Sequence, residues 1–166
     1  MSGRRTHSID VLVVGGGLVG LTAALVLRHH GVRVALAEKH ATTSPQPKAR
    51  RFHMRSMEIF RELGLAGTVR DAARDLAGHD RMAAGRTLAE AEPLPLWNGT
   101  RSAAAPAGLP PEVSPEPPCL IAQDLLEPVL RRAAEDAGAD IRFETELTGF
   151  TQHADHVAAW LLDRRT

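Results

Sequence analysis

One cysteine, Cys119, stands in 166 residues, so no internal disulfide can form and the composition suits a reducing compartment, the cytoplasm. Cys119 follows Pro117-Pro118 with no basic neighbour in sequence, which reads as a buried thiol rather than a nucleophile. An excess of either charge is also missing. Twenty Lys and Arg balance twenty Asp and Glu, and with a pI near 7.1 no global basic field points to nucleic acid. The Arg pairs 50–51, 131–132 and 164–165 are too scattered to form a stripe. Metal-ligand spacing is absent as well. Among the eight histidines, His29-His30 end a predicted helix and His153 and His156 flank a predicted turn, so no metal is expected.

No uninterrupted apolar stretch reaches the roughly twenty residues that a membrane span wants. Residues 11–27 carry no charge, Arg4 and Arg5 precede them, and Ala35-Leu36-Ala37 resembles a cleavage site, which together outline a secretory signal. Three glycines break that run, however, and Arg28 and Arg33 fall before the supposed site. Neither a signal nor a membrane anchor is expected.

What those glycines spell is Gly15-x-Gly17-x-x-Gly20-x-x-x-Ala24-x-x-Leu27-x-x-x-Gly31-x-x-Val34-x-x-x-Glu38. It predicts a strand over 9–14, a helix over 18–30 stopped by Gly31, and a second strand over 32–37. In a βαβ unit of this kind Gly15 permits the tight turn, Gly17 lets backbone approach a pyrophosphate, and Gly20 lets the helix lie close to the sheet. Helix-opening N–H groups, from Leu18 onward, form an anion site that needs no basic side chain. Glu38 ends the second strand, where a carboxylate accepts hydrogen bonds from an adenosine ribose.

Beyond the motif, a polar loop over 39–49 precedes a helix over 53–63 with Met54, Met57, Ile59, Phe60 and Leu63 as its apolar stripe. A short helix over 67–75 and weak strands within 79–92 follow. Eight prolines between 93 and 118 mark an irregular excursion, of the kind that serves as a linker or a binding loop. A helix over 124–137, capped by Asp124, tolerates Pro128 near its start. A third parallel strand over 140–143 and a meander over 147–152 and 157–162 complete the pattern.

Four landmarks stand in order: the fingerprint ending in Glu38; Pro47-Lys48-Ala49-Arg50 leading to Arg55-Ser56-Met57-Glu58-Ile59-Phe60; Gln123-Asp124-Leu125-Leu126-Glu127-Pro128; and Gly138-Ala139-Asp140-Ile141-Arg142-Phe143. Together they resemble the FAD-dependent aromatic hydroxylases of the p-hydroxybenzoate hydroxylase type, and within them the bacterial aromatic polyketide hydroxylases. The resemblance covers the chain apart from the Pro-rich excursion. It implies an α/β, Rossmann-like FAD-binding βαβ domain, incomplete, with a β-meander and part of a substrate domain. Residues 1–78 would form the FAD-binding βαβ region, 79–118 the excursion towards the substrate domain, and 119–166 the return.

By position, the resemblance sets Gly15, Gly17, Leu18 and Gly20 against the FAD pyrophosphate, and Glu38 with its neighbour Lys39 against the adenosine. Arg50 matches an arginine near the pyrophosphate and ribityl chain, and Gln123 a glutamine on the flavin side. Arg51 departs from the glycine common at its position. The implied activity is hydroxylation of an aromatic substrate with NAD(P)H and O2. No acid–base residue is expected, because no His or carboxylate has a motif context for one. Two Asp-Gly and Gly-Asp segments of such hydroxylases are not found, so the chain is expected to be their N-terminal portion. The rival readings are a nicotinamide-binding dehydrogenase or reductase, since Glu38 serves NAD as readily as FAD, and a truncated non-catalytic relic.

Overall fold

In the computed structural model, residues 6–76, 83–93 and 114–165 are described. The chain divides into two compact units, one formed by Met1–Gln46 with Leu126–Thr166 and the other by Pro47–Leu125.

The first unit is built on a parallel sheet. Strand β1 (Val11–Val14), helix α1 (Leu18–His29) and strand β2 (Val34–Ala37) follow the predicted βαβ order. The register pairs Val11 with Val34 and Val14 with Ala37. All four residues of β2 are buried, which explains an apolar run without polar alternation: a central parallel strand has no solvent face. Leu21, Ala24 and Leu25 of α1 cover the sheet, and Leu36 is fully buried, a placement that contributes about 1.5–3 kcal/mol for such a side chain. Both strands start two residues later than predicted. Just before them the Asp10 N–H donates to the Arg33 carbonyl at 3.1 Å, and the side chains add to this tie, with Arg33 Nη2 donating to Asp10 Oδ1 at 2.7 Å. Gly31, just past α1, has φ +78 and supplies the left-handed turn into β2.

In the second unit, β3 (Arg51–Phe52) precedes α2 (Met54–Glu62) and α3 (Ala66–Ala72), followed by a single 3-10 turn at Arg74–Leu76. Met57 and Phe60 are the buried members of the α2 stripe, and the Phe52 and Phe60 rings lie 6.3 Å apart. Within the stretch expected to hold weak strands, β4 (Ala83–Ala84) and β5 (Glu92–Pro93) pair antiparallel. Residues 77–82 and 94–113, most of the Pro-rich excursion, lie outside the described residues. Strand β6 (Cys119–Leu120) pairs antiparallel with β3. Cys119 is buried, and burial pushes its thiol above the usual value.

Helix α4 (Gln123–Asp136) begins before Asp124, which therefore sits inside the first turn and is not its cap. Its Oδ1 is buried and has no hydrogen-bond partner among the described residues. Pro128 falls one turn in, so the Asp124 carbonyl forgoes its i+4 donor. Strand β7 (Asp140–Arg142) then adds to β2 in parallel, with Leu36 opposite Ile141, giving the order β1-β2-β7. Strands β8 (Thr145–Gln152) and β9 (Val157–Asp163) form the expected antiparallel hairpin, with an irregularity between Leu147 and Gly149. A Cβ on Gly149 would stand 3.7 Å from the Trp160 ring, so the indole lies over the glycine.

Candidate functional site

The turn between β1 and α1 carries the local chemistry of the first unit. Gly15 has φ +106, a conformation that a side chain would strain, and its N–H donates to the Ala37 carbonyl at 2.8 Å. A Cβ on Gly20 would lie 1.9 Å from the Gly15 carbonyl oxygen and 3.4 Å from Val13 Cγ1. That glycine thus admits the helix against both the turn's own backbone and β1. Gly17 takes the N-cap position of α1 with extended backbone and no side-chain cap, and its carbonyl accepts the Leu21 N–H at 2.9 Å. No acidic residue lies in the first turn of α1. The opening N–H groups and helix dipole there favour an anion.

Glu38 stands at the end of β2 and reaches back to this turn. Its Oε2 accepts the Gly16 N–H at 2.6 Å, and its Oε1 accepts the His40 N–H at 2.8 Å. The His40 ring Nδ1 lies 2.6 Å from the same Oε1. Burial acts to raise the Glu38 pKa, but the Gly16 N–H and the His40 N–H and imidazole outweigh it and hold the carboxyl below its usual value. A carboxylate offers about four acceptor positions, and three contacts leave room for a hydroxyl. Lys39 and His40 beside it are exposed.

Gly16 shows a constraint that the fingerprint does not mark. A Cβ there would stand 2.9 Å from Glu38 Cβ and 3.2 Å from Phe143 Cζ. The Phe143 ring in turn lies under the Arg131 guanidinium, 4.2 Å from its centroid. Glu127 is the other residue that sequence reasoning passed over. It is 1% exposed, and its Oε2 accepts the Ser44 N–H at 2.8 Å. Its signal was a carboxylate in step with Leu126, Leu130 and Ala134, the buried face of α4.

Gly15, Gly17, Leu18, Gly20, Glu38 and Lys39 all belong to the first unit, Arg50 and Gln123 to the second. Within the second unit the fold brings the segments of those two together. Arg51 pairs with Leu120, and the Ile121 N–H donates to the Arg50 carbonyl at 3.0 Å. Arg50 is exposed and Gln123 half-buried.

These features fit a dinucleotide with a pyrophosphate and an adenosine ribose, and comparison with known proteins decides which kind. A family model described as FAD binding domain matches residues 8–166. The chain belongs to the FAD-binding domain family. A polyketide hydroxylase of Streptomyces coelicolor, so named provisionally, is 40% identical over 99% of this chain and 26% of its own length. The aklavinone 12-hydroxylase of Streptomyces peucetius is 41% identical over 95% of this chain and 32% of its own. Among solved structures, the flavin-dependent monooxygenase PieE, in complex with FAD and substrate, superposes with a TM-score of 0.77 at 32% identity, covering 95% of this chain and 27% of that one. The ternary complex of aklavinone-11 hydroxylase with FAD and aklavinone gives 0.72 at 32% identity, with 95% and 30% covered.

The FAD-binding chain spans between a quarter and a third of the length of these relatives. The nicotinamide-binding alternative is not favoured, since the family and these relatives are flavin proteins. Residues 11–14, 18–29 and 34–37, within the stretch that outlines a secretory signal, form a strand, a helix and a buried strand. Among the described residues no helix is long and apolar enough to cross a membrane, and no group of His, Cys, Asp and Glu could hold a metal ion.

Proposed function

We propose that this chain is the FAD-binding part of a monooxygenase that hydroxylates an aromatic, polyketide-like small molecule with NAD(P)H and O2. The observation that carries the reading is the Glu38 carboxylate, hydrogen-bonded to the glycine turn, in a chain similar to polyketide hydroxylases over nearly all its length. In this reading Gly15, Gly17 and Gly20 keep side chains out of the turn, and the N–H groups from Leu18 onward meet the pyrophosphate. Glu38 accepts from a ribose hydroxyl through its remaining acceptor capacity, with Lys39 alongside the adenosine. Arg50 offers planar paired donors to the pyrophosphate and ribityl region, and Gln123 contacts the flavin side. Residues 1–78 and 119–166 hold the cofactor, and 79–118 lead towards the substrate.

Bound FAD supplies the electron transfer from nicotinamide to oxygen, while protein supplies binding, orientation and exclusion of water. No side chain of this chain is assigned a proton-transfer role. We place the protein in the cytoplasm on its cysteine usage, with no nucleic acid or membrane as partner. The test is to purify the complete protein and record its flavin absorption bands. It is then supplied with NADPH, O2 and an aromatic polyketide, and the product is weighed by mass spectrometry. A yellow protein and a product heavier by one oxygen atom are expected. A colourless protein that binds nicotinamide alone would overturn the reading.

A further inference from the structure

Glu127 is a carboxylate buried to 1% exposure in a family whose bound cofactor is itself an anion. Burying such a group is costly unless it is held by hydrogen bonds, so its partners indicate what it does. Oε2 accepts the backbone N–H of Ser44 at 2.8 Å, across 83 residues of sequence. Oε1 stands 3.5 Å from the place where a Cβ on Gly17 would be, at the N-cap of α1. One side chain of α4 therefore spans two segments: the glycine turn, and the strap 39–46 that leaves β2 just after Glu38.

The strap is fastened at its other end as well. The His40 N–H donates to Glu38, and the His40 carbonyl accepts the Glu144 N–H at 3.0 Å. Near Ser44 the strap turns locally, with the Gln46 N–H donating to Ser44 Oγ at 3.3 Å. Without Glu127, the Ser44 end would lose its anchor to α4 and with it a fixed distance from Gly17.

We propose that Glu127 is a positioning residue for the dinucleotide, its buried carboxylate holding the 39–46 strap in register with the glycine turn. The inference rests on the FAD-binding reading above. Its role is that of an acceptor for Ser44, so a neutral acceptor of the same shape serves in its place.

The test uses the complete protein, titrated with FAD and separately with ADP, which carries only the adenosine and pyrophosphate. Glu127→Ala is expected to weaken both ligands by the same factor, about tenfold, the size of one hydrogen bond to a charged acceptor. The number of sites filled at saturation should stay at the wild-type value, which general unfolding would lower. Glu127→Gln should bind both ligands within about threefold of wild type, because its amide oxygen still accepts from Ser44. Should Glu127→Ala fail to fold, Ser44→Pro removes the N–H donor together with the hydroxyl that Gln46 uses, and is expected to weaken ADP in the same way, while Ser44→Ala, which removes the hydroxyl alone, keeps wild-type affinity. Unchanged affinity in Glu127→Ala or Ser44→Pro overturns the proposal, as does a Glu127→Gln protein as weak as the Ala variant. A wild-type protein that binds neither ligand overturns instead the reading on which the proposal rests.

Discussion

Glu38 and Gly16 are joined by a 2.6 Å hydrogen bond from the backbone N–H at the glycine turn to the carboxylate at the end of β2. Twenty-two residues separate them, and the bond closes the βαβ unit at the end where an anion is expected. It also orients the carboxylate before any ligand arrives, which lowers the ordering cost of binding. His40 adds its N–H and ring to the same group.

Replacing Glu38 with Ala should therefore weaken FAD binding in the complete protein by about 1.5–3 kcal/mol, the range for hydrogen bonds to a charged partner. Flavin fluorescence titration measures this. Unchanged affinity would remove Glu38 from the ribose site.

The glycines should separate by what surrounds each. Gly20→Ala puts a Cβ 1.9 Å from the Gly15 carbonyl oxygen, so its cost should reach or exceed about 3 kcal/mol, the upper end for overpacking. Gly16→Ala meets Glu38 Cβ at 2.9 Å and should cost about 1–3 kcal/mol. Gly17→Ala meets only Glu127 Oε1, at an ordinary 3.5 Å, and should cost about 1 kcal/mol through the poorer N-cap. Gly17→Val should fold yet bind little flavin. Thermal melts, with flavin absorbance read on the same samples, test the ranking; a Gly17→Val protein that purifies yellow would contradict the phosphate turn.

Acid should loosen the site through Glu38. Its folded pKa lies below the usual 4.5, so its contribution is complete above that value and is lost as the pH falls through the lower, folded one. Asp10 behaves alike at the start of β1: Arg33 holds its carboxyl at about 2 against a usual 3.8, so its contribution fades between those two values. Glu38→Gln is expected to flatten the acid dependence of FAD affinity, whereas Asp10→Asn should change only the melting profile. An unaltered acid dependence of FAD affinity in Glu38→Gln would count against this assignment.

Residues 1–166 alone should not carry out coupled hydroxylation, because they match only 26% to 32% of the length of the hydroxylases they resemble. The β8–β9 hairpin also exposes Phe150 and Val157 on one face, to 63% and 59%, and Leu162 on the other, to 51%, apolar side chains on an edge that favours association. Incubating this stretch with FAD, NADPH and an aromatic polyketide should give no stoichiometric product, and light scattering should report association. Efficient conversion by the stretch alone would contradict the expectation.

The βαβ unit was legible in the sequence because its constraints are local. A positive φ at Gly15, a steric stop at Gly20, helical spacing over Leu21, Ala24 and Leu25, and an all-apolar β2 each leave a mark within a few residues. The hairpin and the third parallel strand were legible for the same reason, through apolar runs bounded by turns. Strand and helix ends were less so: Asp124 has the chemistry of a cap, yet α4 starts one residue before it, because helix ends fray over a residue or two and leave no sharp local mark.

Pairings between distant segments were decided only by tertiary structure. Nothing near Arg51 or Cys119 announces that two-residue strands will meet there, since so short a run has no periodicity of its own. Likewise the place of Glu127 on the buried face of α4 does not say which remote group will meet it, and Ser44 looks like an ordinary loop residue until packing brings its N–H to the carboxylate. By itself the sequence determined the turn, the helix and the carboxylate at Glu38, because backbone sterics and burial patterns act over a few residues. Which remote groups those elements would hold depended on the folded chain bringing them within hydrogen-bond reach, and no local pattern encodes that distance.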